Sequence, residues 1–488
     1  MANNGNSAAM PKTPTAAELR AELAKKESDL GINGRLTGTQ RIAAIFDEGT
    51  FVETGKYAKS SKNEFSDGGE FEGVITGYGA IDGRLVFAFV QDFSRMKGAL
   101  GEMHAKKICA LYDLALKSNA PVIGVFDSAG AFVLEGVSAM SGYGKIMKKI
   151  AASSGIIPQI AVVAGVCSGA LATIAAMFDF TVASKQNGSI FVNPPFIMKS
   201  KKGGAGLGSI EAAYKLGLAD HVCENEVEAY AKAKELLNYL PQNCGDGTVY
   251  SVSNDEINRL NTDISDIIAK DGYDMKEVIT AVCDDAKFFE RMAGYAPEIL
   301  TGFITLNSMV IGIVANEPSV NGGKLTANAA KKAAKHIAFC DDFDIPLLTL
   351  VDTEGYETDA ANESAPYSDA LADLAYGYSA SDNAKVSVVI GKAYGAAYTL
   401  MCSKSLGADI ALAVDNAKIS AMPTESAVAF AWSDKVKDNS KRAELENEWN
   451  ISVASPVNAA RDGDIDDIVS CDELRQRISA AFEMLSDR

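Results

Sequence analysis

Short apolar runs rich in Val and Ile alternate along the chain with longer segments of helical periodicity. The first segment, Thr15 to Leu30 (TAAELRAELAKKESDL), has the charge pattern of a surface helix and opens on a capping box, Thr15 to Glu18. Arg41 to Glu53 predicts a short helix, a DEGT turn and a strand. Phe71 to Val90 alternates around Asp82-Gly83, a strong two-residue hairpin turn. A Gly-containing loop, Arg95 to Gly101, leads into a helix over Glu102 to Lys117. A strand over Pro121 to Phe126 follows and ends in DSAG, Asp127 to Gly130. Val137 to Ile150 predicts another helix. Next comes PQIAVVAGVCSGALATIAAMFDFT, Pro158 to Thr181. It predicts a buried strand (Ile160 to Ala164), a tight turn (Gly165 to Gly169) and a small-residue helix (Ala170 to Phe178). A strand over Ser189 to Val192 stops at the NPP of Asn193 to Pro195, where backbone before proline turns away. This succession predicts an α/β fold with largely parallel core strands.

The same pattern occurs twice. Gly98, Lys107, Pro121, Asp127 and Gly130 each have an identical residue 225 positions later, at Gly323, Lys332, Pro346, Asp352 and Gly355. VVAGVCSGALAT around Gly169 lies over VVIGKAYGAAYT around Gly395, at an offset of 226. Spacing held across about a hundred residues indicates an internal duplication. The material between the copies, Gly245 to Glu290, is polar and predicts helices. Its FFE (288–290) echoes the FVE of 51–53.

Composition narrows the chemistry. The chain has 488 residues and is 47% hydrophobic, enough for two or three domains with full cores. No apolar run is long enough to cross a membrane. The first fourteen residues read as disordered and lack a signal-peptide pattern, so a cytoplasmic location is expected. A net charge of −18 argues against nucleic acid. Eight cysteines without a CxxC pair, and three histidines (His104, His221, His336), give no metal set. The histidines read as structural or surface residues, and Cys167 as a small buried residue rather than a nucleophile. The basic loop KSKKGGAGLG (199–208) either holds phosphates or is a solvated loop. Lys145, Lys148 and Lys149 read as a solvated helix face.

Each copy has a strand-end turn with Asp and Gly, DSAG or DTEG, and a Gly/Ala turn opening a helix. Free N–H groups at such a helix start, backed by the helix dipole, suit a developing oxyanion. For one copy alone, close helix–sheet packing explains the small residues equally well. Two copies imply two carbonyl-type oxygens to polarise, with no acid–base dyad or nucleophile alongside.

These residues resemble the biotin-dependent acyl-CoA carboxyltransferases: β subunits of acetyl- and propionyl-CoA carboxylase, methylmalonyl-CoA carboxyltransferase and decarboxylase α subunits. The resemblance is carried by FDEGTFVE (46–53), VITGYGAIDGRLVFAFVQDFS (74–94), LGEMHAKKICALYDLALKSNAPVIGVFDSAG (100–130), IGIVANEP (311–318), FCDDFDIPLLTLVDTEGY (339–356) and KAYGAAYTLMCSKSLGAD (392–409). It implies two tandem crotonase-like (ββα superhelix) domains: an N-terminal extension and surface helix over 1–35, an acyl-CoA domain over 36–245 and a biotin domain over 246–488. By motif match it places Gly169 and Ala170 at the thioester oxyanion and Ala396 and Ala397 at the biotin carbonyl. Substrate-binding positions fall at Ala129, Gly130, Ala131, Tyr143, Gly144, Gly395, Tyr398 and Thr399, and no metal is implied. The reaction implied passes through a thioester enolate held by backbone amides. The implied cofactor is biotin on a separate carrier, and the implied substrate is a coenzyme A thioester. The implied partners are a biotin carboxyl carrier protein and either a biotin carboxylase or a membrane decarboxylase subunit. The assembly implied is a homo-hexamer, a dimer of trimers.

The chain departs from the family pattern at identifiable places. Phe132 stands where SGGAR has Arg, Ala170 where CAGGA has Gly, MPTESA (422–427) where GPEGA is usual, and Thr399 where Asp is frequent. These departures leave open a biotin-independent crotonase-type enzyme and a non-catalytic assembly subunit.

Overall fold

The computed structural model describes residues 14–28, 34–60, 71–197, 206–364, 366–436 and 439–486. The disorder expected over the first residues and most of the 199–208 loop lie outside them. The first helix runs Ala16–Ser28. Its capping box forms: the Thr15 amide donates to Glu18 Oε2 at 2.7 Å and the Glu18 amide to Thr15 Oγ1 at 3.2 Å.

The first half is built on β1 (Val52–Thr54), β2 (Val74–Ile81), β3 (Arg84–Gln91), β4 (Val122–Phe126), β5 (Gln159–Val163), β6 (Val166–Ser168), β7 (Phe180–Ser184), β8 (Ser189–Phe191) and β9 (His221–Cys223). Seven of these form one sheet in the order β1-β2-β3-β4-β5-β7-β9. The β2–β3 hairpin turns on Asp82 (φ 49°) and Gly83 (φ 77°), two left-handed residues that Asp and Gly tolerate best. From β3 onward the pairing is parallel. Every residue of β4 and β5 is buried, which is why those strands read as unbroken apolar runs rather than alternation. The Gly165–Gly169 stretch, expected as a tight turn, contains the short β6, which pairs in parallel with β8 apart from the main sheet because its backbone groups find partners there.

The second half repeats this plan with β10 (Phe288–Arg291), β11 (Ile299–Leu306), β12 (Met309–Asn316), β13 (Leu347–Thr353), β14 (Lys385–Tyr394), β15 (Ile410–Val414), β16 (Lys418–Ser420) and β17 (Asp467–Val469). The order is β10-β11-β12-β13-β14-β15-β17, with β16 paired to the end of β14. Each partner relation matches the first sheet. β10 pairs with β11 as β1 pairs with β2, so the FFE and FVE segments are counterparts. The β14–β16 pair is the counterpart of β6–β8.

The connecting stretch departs from expectation. Helices form at Ile264–Ile268 and Met275–Val282, but 247–262 is turn and extended chain. Its Ser and Asn side chains bond backbone groups instead. The Asp255 amide donates to Ser253 Oγ at 3.1 Å, and Asn261 Nδ2 donates to the Ala281 carbonyl.

The halves share a buried seam. Phe180 of β7 meets Phe339 with ring centroids 4.6 Å apart and Phe303 of β11 at 6.1 Å. The Arg291 guanidinium lies 4.2 Å from the Phe180 centroid and donates from Nε to Asp220 Oδ1 at 2.7 Å. His336 is buried against Phe303, and His221 lies edge-on to Phe289, so both act in packing.

Candidate functional site

Two sets of turns lie at the carboxyl ends of the parallel strands, one per half, where open α/β sheets place ligands. In the first half β4 ends at Asp127, whose carboxylate is fully buried. Its Oδ1 accepts from Arg35 Nη1 at 2.7 Å and from the Val166 amide at 3.3 Å, and its Oδ2 accepts from Arg41 Nη2 at 2.8 Å. Gly165 makes this possible, because a Cβ there would sit 1.9 Å from Asp127 Oδ1. The Ser128 amide donates to the Val166 carbonyl at 2.9 Å, and the Ala129 amide to the Lys97 carbonyl at 2.9 Å. Gly130 has φ 106°; its amide donates to Ser128 Oγ at 3.0 Å and its carbonyl accepts from Leu100 at 2.8 Å.

The neighbouring turn opens helix Ala170–Ala176 through Gly169, at φ 59° and ψ −127°. The Gly169 amide donates to the Phe191 carbonyl at 2.9 Å and so anchors the turn. Ala170 and Leu171 then carry the first helical N–H groups, which have no partner within the helix. Cys167 is buried beneath, and burial pushes its thiol well up, so no thiolate nucleophile is on offer. Tyr143 is also buried, with its phenol raised to about 12, chiefly by burial. It belongs to the same apolar cluster as Cys167 and Leu171, whereas Ala129 and Gly144 are exposed.

The second half reproduces this lattice. The Asp352 amide donates to Asn316 Oδ1 at 3.2 Å, as the Asp127 amide does to Gln91 Oε1 at 3.1 Å. A Cβ on Gly391 would lie 2.1 Å from Asp352 Oδ2. Gly355 has φ 118°, its amide donates to Thr353 Oγ1 at 3.2 Å, and its carbonyl accepts from Leu325 at 3.0 Å. Gly395, at φ 65°, opens helix Gly395–Leu400 as Gly169 opens its own. In this register Ala396 is the counterpart of Ala170, and the buried Ala397 that of Leu171. Tyr398 is half-buried, with its phenol raised to about 12 mainly by burial. Thr399 is exposed, and its carbonyl accepts from Ser403 Oγ at 3.0 Å.

The halves differ in what holds the aspartate. Where Asp127 has two guanidinium partners, Asp352 has the Tyr273 hydroxyl at 2.9 Å and the Lys392 amide at 2.9 Å. Burial holds the Asp352 carboxyl above its usual range. Two cavities adjoin the second turn. One of about 600 Å³ is lined by Tyr273, Asp352, Gly391 and Lys418. The other, of about 500 Å³, is lined by Tyr394, Lys392, Thr424 and Asn450. Sequence reading found the Asp-Gly turns but missed Arg35, Arg41 and Tyr273. Their partners lie 86 or 92 residues away for the arginines and 79 for the tyrosine, and no local motif marks them.

Beneath the first turn lies a buried polar group. Glu72 is nearly inaccessible, and burial raises its carboxyl to about 7. His104 Nδ1 lies 3.8 Å from it, but burial lowers that imidazole to about 3, so it is neutral and the contact is no ion pair. A carboxyl raised on folding costs stability as pH rises from the unfolded value of 4.5 through about 7. Glu72→Gln is therefore expected to stabilise the protein at pH 8, by on the order of 2–3 kcal/mol, and to change little at pH 4. Urea unfolding at the two pH values checks this; an equal effect at both contradicts it.

Comparison with known proteins places this geometry. The carboxyl transferase domain family matches residues 32–488. The chain is 35% identical to the propionyl-CoA carboxylase beta chain of Cereibacter sphaeroides, over 93% of this chain and 91% of that one. It is 36% identical to the methylmalonyl-CoA decarboxylase subunit alpha of Propionigenium modestum over the same shares. Among solved structures it superposes on a transcarboxylase 12S hexamer core, with methylmalonyl-coenzyme A and methylmalonic acid bound, with a TM-score of 0.91 and 34% identity. That match covers 98% of this chain and 96% of the other. A single-chain long-chain acyl-CoA carboxylase shares the fold at a TM-score of 0.79 and 20% identity, over 96% of this chain and 47% of that one. With its duplicated sheets and near-full-length matches, the chain belongs to the biotin-dependent acyl-CoA carboxyltransferases and has their paired crotonase-like fold.

Proposed function

We propose that this protein moves a carboxyl group between biotin, borne on a separate carrier protein, and the α-carbon of a short-chain acyl-CoA. The ester is of the propionyl-/methylmalonyl- or acetyl-/malonyl-CoA type. The observation that carries this reading is the duplicated turn: a left-handed glycine, a first helical N–H, and a buried aspartate locking the strand end beneath. The boundary near residue 245 then separates an acyl-CoA half from a biotin half.

The Ala170 amide, with Leu171 behind it, holds the thioester oxygen as negative charge develops on it. Gly169 fixes the direction of that donor through its own bond to Phe191. Donors already in place at the start of a helix reorganise little during reaction. The Gly395–Ala397 run fits a biotin carbonyl on one observation: a Cβ on Gly395 would have only the Ala421 carbonyl nearby, at 3.5 Å, so the turn is open on that side. Ala396 and Ala397 would hold that carbonyl. When bound, biotin supplies the carboxyl carrier and a ureido nitrogen able to take the α-proton. That chemistry suits turns whose bonded groups are backbone amides rather than free side-chain bases. Bringing both ligands between two fixed turns contributes by proximity, by several kcal/mol or so. We further place the chain in a homo-hexamer, a dimer of trimers, working with a biotin carboxyl carrier protein and a biotin carboxylase or membrane decarboxylase subunit.

The test is to incubate the protein with a biotinylated carrier and propionyl-, acetyl-, methylmalonyl- and malonyl-CoA, following labelled carboxyl in both directions. Transfer to or from at least one ester is expected. No transfer with any of the four overturns the reading.

A further inference from the structure

Resting on that reading, we propose that Lys97 is a substrate-binding residue that holds an anionic oxygen of the CoA ester at the rim of the first turn. Three residues in succession, Met96 (φ 50°), Lys97 (φ 54°) and Gly98 (φ 61°), are left-handed. The counterpart run is Asn321 (φ 52°), Gly322 (φ 62°) and Gly323 (φ 62°). At the same backbone position, then, one half of the molecule has glycine and the other has lysine. Glycine adopts this conformation freely, whereas a lysine there is strained by its Cβ. The first half keeps a cation at a position that the fold itself fills more easily with glycine.

Its placement gives that cation a role. The Lys97 carbonyl accepts from Ala129, and the next residue, Ser128, donates to Val166 on the way to Gly169. Lys97 is thus tied by one backbone bond to Ala129, and through the adjoining Ser128 to the tier of loops that carries the thioester-side donor. Its side chain is exposed and enters no ion pair among the described residues, in a chain of net charge −18. In the second half the Glu354 carboxylate occupies the corresponding space, 2.7 Å from where a Cβ on Gly322 would sit. Phe132, two residues beyond Gly130, leaves the turn without the arginine expected there from the family motif. Lys97 supplies a positive charge at the same turn. The shared chemistry it would recognise is an anionic oxygen, from a phosphate of the CoA or from the carboxylate of a malonyl-type acyl group.

The experiment compares wild type, Lys97→Gly and Lys97→Arg in the full assembly. Lys97→Gly is expected to melt at a higher temperature than wild type and to raise KM about tenfold, with the larger effect at low salt. Lys97→Arg is expected to recover most of the loss. A structural role predicts a lower melting temperature for the glycine variant and no rescue by arginine. A KM rise for acetyl- and malonyl-type CoA esters alike, but not for their pantetheine thioesters, assigns the contact to phosphate. A rise confined to malonyl-type esters assigns it to the acyl carboxylate. Unchanged KM with every ester overturns the proposal. Calorimetry with CoA esters separates it from the functional reading. Lys97-dependent binding without carboxyl transfer leaves Lys97 its role and removes the carboxyltransferase reading. Binding indifferent to Lys97 removes the proposal alone.

Discussion

Proline at position 170 is expected to abolish carboxyl transfer while leaving the protein folded and assembled. Ala170 is the first residue of its helix, a position that accepts proline without losing an internal hydrogen bond and whose backbone angles suit it. The substitution removes the N–H and little else. Loss of one oxyanion donor lowers kcat by on the order of 10²–10³-fold. Ala170→Gly, which keeps the N–H, should retain most of the activity. Size-exclusion chromatography and far-UV circular dichroism check that Ala170→Pro is intact, and the transfer assay reads the loss. An active Ala170→Pro would mean that the turn's small residues serve packing alone.

The largest effect on stability should come from Arg41. Its guanidinium is fully buried. Nη2 lies 2.8 Å from Asp127 Oδ2, Nε lies 2.8 Å from Glu226 Oε2, and Nη1 donates to the Gln91 carbonyl at 2.7 Å. The Tyr230 hydroxyl completes the group by donating to Glu226 at 2.9 Å. Arg41→Met fills much of the same volume but takes the guanidinium from the buried Glu226 and leaves the buried Asp127 with Arg35 alone of its two. Breaking a buried pair from one side costs about 3–5 kcal/mol. Urea denaturation measures it. Because Asp127 also accepts from the Val166 amide, carboxyl transfer should fall together with stability. A loss of under about 1 kcal/mol would show that the carboxylates find other partners or take up protons at little cost.

Much of this architecture was legible in residue order because the duplication let one half check the other. The constant offset from Gly98/Gly323 to Gly130/Gly355 corresponds to a repeated backbone lattice, bond for bond. The hairpin at Asp82-Gly83 and the capping box at Thr15 were legible because their chemistry is local. What escaped was long-range. Arg35 and Arg41 reach Asp127 from a segment with no motif of its own, and Tyr273 takes their place in the other half. The strain at Lys97 emerged only when its φ could be set beside that of Gly322. Sequence also blurred the register of the two donor pairs. Ala396 aligns with Ala170, yet the motif match paired Ala396-Ala397 with Gly169-Ala170. The Gly169 amide donates to the Phe191 carbonyl, so the function proposed above assigns the first-half donors to Ala170 and Leu171. Ala170-Leu171 and Ala396-Ala397 are the two residues that follow the left-handed glycine in each half.

The claim that two backbone turns polarise two carbonyls, one on a CoA thioester and one on biotin, is tested most directly by the rate of carboxyl loss from methylmalonyl-CoA with and without biotin. The account predicts release that requires biotin and disappears when either Ala170 or Ala396 is replaced by proline. Release at the same rate without biotin, or release that survives Ala396→Pro, would contradict it.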